Sequence, residues 1–122
     1  MIFDGSQRYS TKNLTGIWKG AATNPHCRVP LSLRITADGH VSGSGISAQW
    51  QINGLGKVSG GGSFTFCLQE NCLVVPANWS LQFDSQVETL TGCWKIQHES
   101  FGEMTVALKR TSFGNKNQEK KP

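Results

Sequence analysis

The sequence predicts an all-β fold, an antiparallel up-and-down meander of about eight short strands closed into a small barrel. Three observations carry this prediction. Apolar residues recur with period two through most of the chain, which sets side chains alternately on a dry and a wet face. No stretch keeps helical spacing over three turns. Fourteen glycines and a charged fraction of only 16% suit short strands and tight turns. At 122 residues, one domain with one core is the default.

Residues 1–12 are polar without periodicity and are expected to form an N-terminal arm. The barrel domain is expected over 13–112. Its strands follow the alternation Leu14, Gly16, Trp18; then Val29, Leu31, Leu33, Ile35; a Gly-rich strand from His40 to Gly45; and Trp50, Ile52. The second half continues with Phe64, Phe66, Leu68; Trp79, Leu81, Phe83; Leu90, Gly92, Trp94, Ile96; and Met104, Val106, Leu108, Arg110. Ala37-Asp-Gly39, Gly54-Leu-Gly56 and Gly60-Gly-Gly62 read as turns between them. With no helix to cover the apolar face, the sheet must curl on itself. Residues 113–122 lose the pattern and read as a disordered basic tail.

The formal net charge is +4, and Lys116, Lys120 and Lys121 less Glu119 place +2 of it in that tail. No run of Lys or Arg interleaved with aromatics precedes it, so no nucleic-acid groove is expected. No apolar run is long enough for a membrane span, and no signal peptide is visible at Met1. A soluble, intracellular protein is the expectation, with export left open. Of four cysteines, Cys67 and Cys72 can close a small loop as a disulfide, and Cys67 and Cys93, both on the wet phase, can be bridged if their strands are adjacent; the connectivity stays open.

In a closed meander the last strand lies beside the first. Arg110 can then lie across Trp18 in a cation–π contact that plugs one barrel end. A Gly-x-Trp on the first strand with an Arg late on the last resembles the calycins, the lipocalin, avidin and fatty-acid-binding families. Leu14-Thr-Gly-Ile-Trp18, Ala77-Asn-Trp79, Leu90-Thr-Gly-Cys93 and Leu108-Lys-Arg-Thr111 look most like the avidin branch. That resemblance implies a barrel with an interior ligand wall. Biotin is not expected, because Lys19 to His26 lack the polar pattern that holds its ureido group and Ala107 stands where avidins carry a tryptophan.

Nothing in the sequence marks a catalytic centre. His26, His40 and His98 have no evident partner set, and the glycine stretches fit neither a nucleophile elbow nor a phosphate loop. No Cys-x-x-Cys pair points to zinc, and no cofactor is implied. The expected function is therefore a non-catalytic binding or interaction module that recognises a protein partner through loops or a barrel end. An alternative is a carrier of a small apolar ligand, with Trp50, Phe66, Trp79 and Trp94 as its wall. A second is a small β-barrel enzyme or an enzyme inhibitor; for an enzyme, His98 with Glu99 or Glu103 would have to converge. Oligomeric state is left open.

Overall fold

A computed structural model describes residues 9–97 and 102–112. The start of the arm, His98, Glu99 and the tail from Phe113 fall outside the described residues, as do the side chains of Phe66 and Leu68. Eight antiparallel strands form a closed barrel in sequence order: β1 Gly16–Thr23, β2 Arg28–Ile35, β3 His40–Gly43, β4 Ile46–Asn53, β5 Lys57–Leu68, β6 Asn71–Asp84, β7 Thr89–Ile96 and β8 Glu103–Ser112. The all-β meander that the alternation predicts is the fold. β8 closes on β1 with Trp18 opposite Arg110 and Gly20 opposite Leu108.

The predicted dry face is the core. Trp18, Trp50, Trp94, Leu33, Ile35, Val41, Leu90, Ile96 and Met104 are among its most completely buried side chains. No polar or charged residue is fully buried among the described residues. The arm adds a short 3-10 turn, Thr11–Leu14, that lays Leu14 into the core, so Leu14 caps the barrel and does not begin the first strand.

One turn assignment is corrected. Gly60-Gly-Gly62 lies in the middle of β5, not between strands. Gly60 sits in register between Trp50 of β4 and Trp79 of β6, and a Cβ on it would lie 2.9 Å from the Trp50 indole. The glycine is there because a Cβ would also fall 2.2 Å from the Gln49 carbonyl oxygen, so the β4 backbone and the Trp50 ring together occupy the space a side chain would take.

Candidate functional site

The sequence singles out two groups of interior aromatics, and the structure separates them. At the end where β1 begins, the Arg110 guanidinium lies 4.7 Å from the Trp18 ring centroid and 5.7 Å from that of Phe83. Its Nε donates to Glu88 Oε1 at 2.5 Å and its Nη1 to the Thr15 carbonyl at 2.8 Å. The Trp18 indole N–H donates to the Leu14 carbonyl at 2.7 Å. Tyr9 packs edge-on against Phe83 at 5.3 Å and its hydroxyl meets Ser85 Oγ at 2.9 Å. Every polar group of this layer that an aromatic approaches has a partner.

The second group fills the middle of the barrel. Trp79 stacks on Trp94 at 4.6 Å, Trp50 tilts against Trp79 at 4.7 Å, and Phe64 meets Trp94 edge-on at 4.8 Å. Three of the expected wall residues therefore touch one another. Phe66, the fourth, has its side chain outside the described residues. The indole N–H groups of Trp50, Trp79 and Trp94 are buried without a hydrogen-bond partner among the described residues. An unpaired buried donor costs about 1–3 kcal/mol, so three in contact are a concentrated polar deficit inside an apolar core.

A third region follows from strand lengths, which alternation alone did not reveal. β4 accompanies β5 only as far as Phe64, with one more bond from the Thr65 amide to the Gly45 carbonyl, and β7 accompanies β6 only from Ala77, with one more bond from the Gln97 amide to the Pro76 carbonyl. Beyond those points Phe66–Leu68 and Asn71–Val74 pair with no other strand among the described residues. They project from the barrel as a two-stranded ribbon. Cys67 stands opposite Cys72, and the two form the disulfide that the short spacing allows. On this ribbon Leu73 is 39% and Val74 67% exposed, and no charged residue lies between Asn71 and Pro76. The signal in the sequence was Leu73-Val-Val75, which breaks the period of two and leaves no wet face.

The remaining titratable groups do not gather into a centre. No group of three or more His, Cys, Asp or Glu side chains suited to a metal occurs among the described residues. Cys93 and Glu103 share the outer face of β7 and β8, where the Glu103 carboxylate accepts from the thiol and pushes its pKa up. That direction holds Cys93 as the thiol at neutral pH, the less nucleophilic form. His98 and Glu99, the other residues an enzyme would call on, lie outside the described residues. No helix is long and apolar enough to cross a membrane among the described residues. Comparison with known proteins adds no relative: no family model, no curated protein and no solved structure matches the chain.

Proposed function

We propose that the protein is a non-catalytic interaction module that captures an extended apolar segment of a partner protein on its β5–β6 ribbon. The observation that carries this reading is the ribbon itself. Among the described residues no third strand pairs with the ribbon, and such an edge offers unpaired N–H and C=O groups, while Leu73 and Val74 supply apolar contacts on its two faces. Pro76, which has no N–H to give, closes the pairing edge at the ribbon's base. The Cys67–Cys72 bridge fixes the ribbon before binding, which lowers the ordering cost of association. Such a bridge persists in oxidising compartments, so an exported setting suits this function better than the reducing interior that the N-terminus led us to expect. Membership of the calycin group, carried by short motifs and a closed barrel, is part of the same proposal.

The test is affinity capture from the source extract with the native chain, with Val74→Lys and with Lys57→Gln as a control on another strand. One partner retained by the native chain and the control but lost with Val74→Lys supports the ribbon. Equal capture by all three overturns it.

The three unpaired indole donors favour a second reading, a carrier whose small, mostly apolar ligand brings a hydrogen-bond acceptor to Trp50, Trp79 and Trp94. Native mass spectrometry of protein from its own source separates the two. A retained small mass that is lost on denaturation supports the carrier, and a protein partner with an empty barrel supports the module.

A further inference from the structure

The net charge conceals an uneven distribution. On the outward rows of β8, β1 and β2, Lys19 stands directly opposite Lys109, Arg34 lies one row towards the barrel end and Arg28 two rows the other way. All four are exposed, and none has an ion-pair partner among the described residues. Like charges placed opposite each other on adjacent strands destabilise a sheet, so the pairing of Lys19 with Lys109 costs stability in the isolated protein. Among the described residues the nearby acids do not offset them. Glu88 is held by Arg110, Asp38 accepts from the Thr36 hydroxyl and the His40 amide, and Glu103 sits at the far end of β8 opposite Lys95. By contrast, the outward rows of β4, β5 and β6 carry Ser47, Gln49, Ser59, Ser63, Asn78 and Ser80, with charge only towards their ends.

Between Lys19 and Arg28 the outward rows carry small side chains. Ala21, Ala107 and Pro30 are register neighbours across the three strands, a flat strip of small apolar groups separating Lys19 and Lys109 from Arg28 by roughly 13 Å along the strand at ~3.3 Å per residue. Beside Arg34 a groove of about 320 Å³ is bordered by Thr15, Thr36 and Ser112. No aromatic side chain stands on these outward rows, so nothing here stacks on nucleobases.

We propose that this face binds an anionic polysaccharide, its sugar rings lying over the Ala21, Ala107 and Pro30 strip and its sulfate or carboxylate groups meeting Lys19, Lys109, Arg34 and Arg28. The site is separate from the ribbon and does not depend on what the ribbon captures. Cations at the margins of a small-residue strip fit a ring polymer with charges at its edges better than a bilayer, which would need protruding apolar anchors.

The experiment is titration calorimetry of the full chain with dextran sulfate oligosaccharides, and with oligogalacturonate to separate sulfate from carboxylate recognition. If Lys19, Lys109, Arg34 and Arg28 each displace one counterion, raising salt from 50 to 200 mM should weaken binding roughly 150-fold for a polyanion as charged as duplex DNA. Lys19→Gln with Lys109→Gln and Arg34→Gln should remove most of that affinity and its salt dependence. Lys57→Gln, and Lys120→Gln with Lys121→Gln in the tail, should leave both near the native values. Binding that follows the tail substitutions, survives the triple substitution, or is stronger to duplex DNA or to phosphatidylserine vesicles overturns the proposal.

Discussion

At the end of the barrel where β1 begins, the chain closes its core with side chains that hydrogen-bond to one another and to the backbone: the Trp18 indole to Leu14, the Arg110 guanidinium to Glu88 and Thr15, and the Tyr9 hydroxyl to Ser85. At the opposite end β5 and β6 run on past their neighbours and leave Leu73 and Val74 in solvent. The plugged end spends Arg110, Glu88, Trp18 and Tyr9 on mutual contacts, which makes it a stability device. The ribbon has apolar surface without cover and a covalent brace instead of packing, the arrangement expected where shape must be kept ready for a partner. Substitutions at the plug should therefore register in unfolding, and substitutions on the ribbon in binding.

The largest effect is expected at Trp18. Its indole is fully buried, lies under Arg110 and donates to the Leu14 carbonyl, so Trp18→Ala removes core volume and an anchoring hydrogen bond together. Urea denaturation should show a loss of about 3–5 kcal/mol. A loss below 1 kcal/mol would mean that this end is not a plug at all.

Arg110→Ala comes next. The side chain is only 6% exposed, while Glu88 at 31% can regain water once its partner is gone, which limits the cost of leaving the carboxylate behind. The vacated contacts over Trp18 and Phe83 and the freed Thr15 carbonyl should together cost about 1–3 kcal/mol. Partner capture by the ribbon should be unchanged. A loss of capture without a loss of stability would dissolve the distinction between the two ends.

The disulfide sharpens the comparison from the other side. Closing a loop this short restricts the unfolded chain by about 2 kcal/mol in the chain-entropy account, but Cys67 and Cys72 sit outside the packed core, where opening can be local. Cys67→Ser with Cys72→Ser should lower amide-exchange protection in Thr65–Leu68 and Asn71–Val74 while leaving that of Trp18 and Leu108 as it was. Equal loss of protection throughout the barrel would show that the ribbon belongs to the same cooperative unit as the plug.

How much of this was legible depended on the kind of signal. Alternation marked the dry face wherever a strand lies on the barrel and carries large apolar residues, as at Trp18, Leu33, Trp50, Leu81, Trp94 and Val106, because a pleat sends successive side chains to opposite sides whatever the barrel's details. The Trp18–Arg110 contact could be anticipated because a closed meander must bring its first and last strands together. Gly60-Gly-Gly62 was misread because a glycine run signals a turn and a close approach of neighbouring backbone equally well, and only the position of β4 against Gly60 and Gly62 decides between them. The ribbon was missed because strand length relative to neighbours is a tertiary property. Leu73-Val-Val75 had no alternation to read once the barrel no longer lay beneath it. Which indole donors lack partners depends on interior angles that no sequence pattern encodes.

The smallest effect is expected at Asp38, in the β2–β3 turn at the plugged end. The Thr36 hydroxyl, followed by the His40 amide, donates to its carboxylate and draws its pKa below the usual aspartate value. A carboxyl with a lower pKa folded than unfolded stabilises the fold while it is ionised in both states, and that contribution disappears as pH falls through the folded value. Wild type should thus melt higher than Asp38→Asn at pH 7, and the gap should close below about pH 4, where aspartate ordinarily titrates. Because the group is fully exposed, the gap should be far smaller than that for Arg110→Ala. A gap that stayed constant down to pH 2 would trace the effect to the amide's altered turn geometry, and the turn would then contribute to the plug through backbone shape and not through charge.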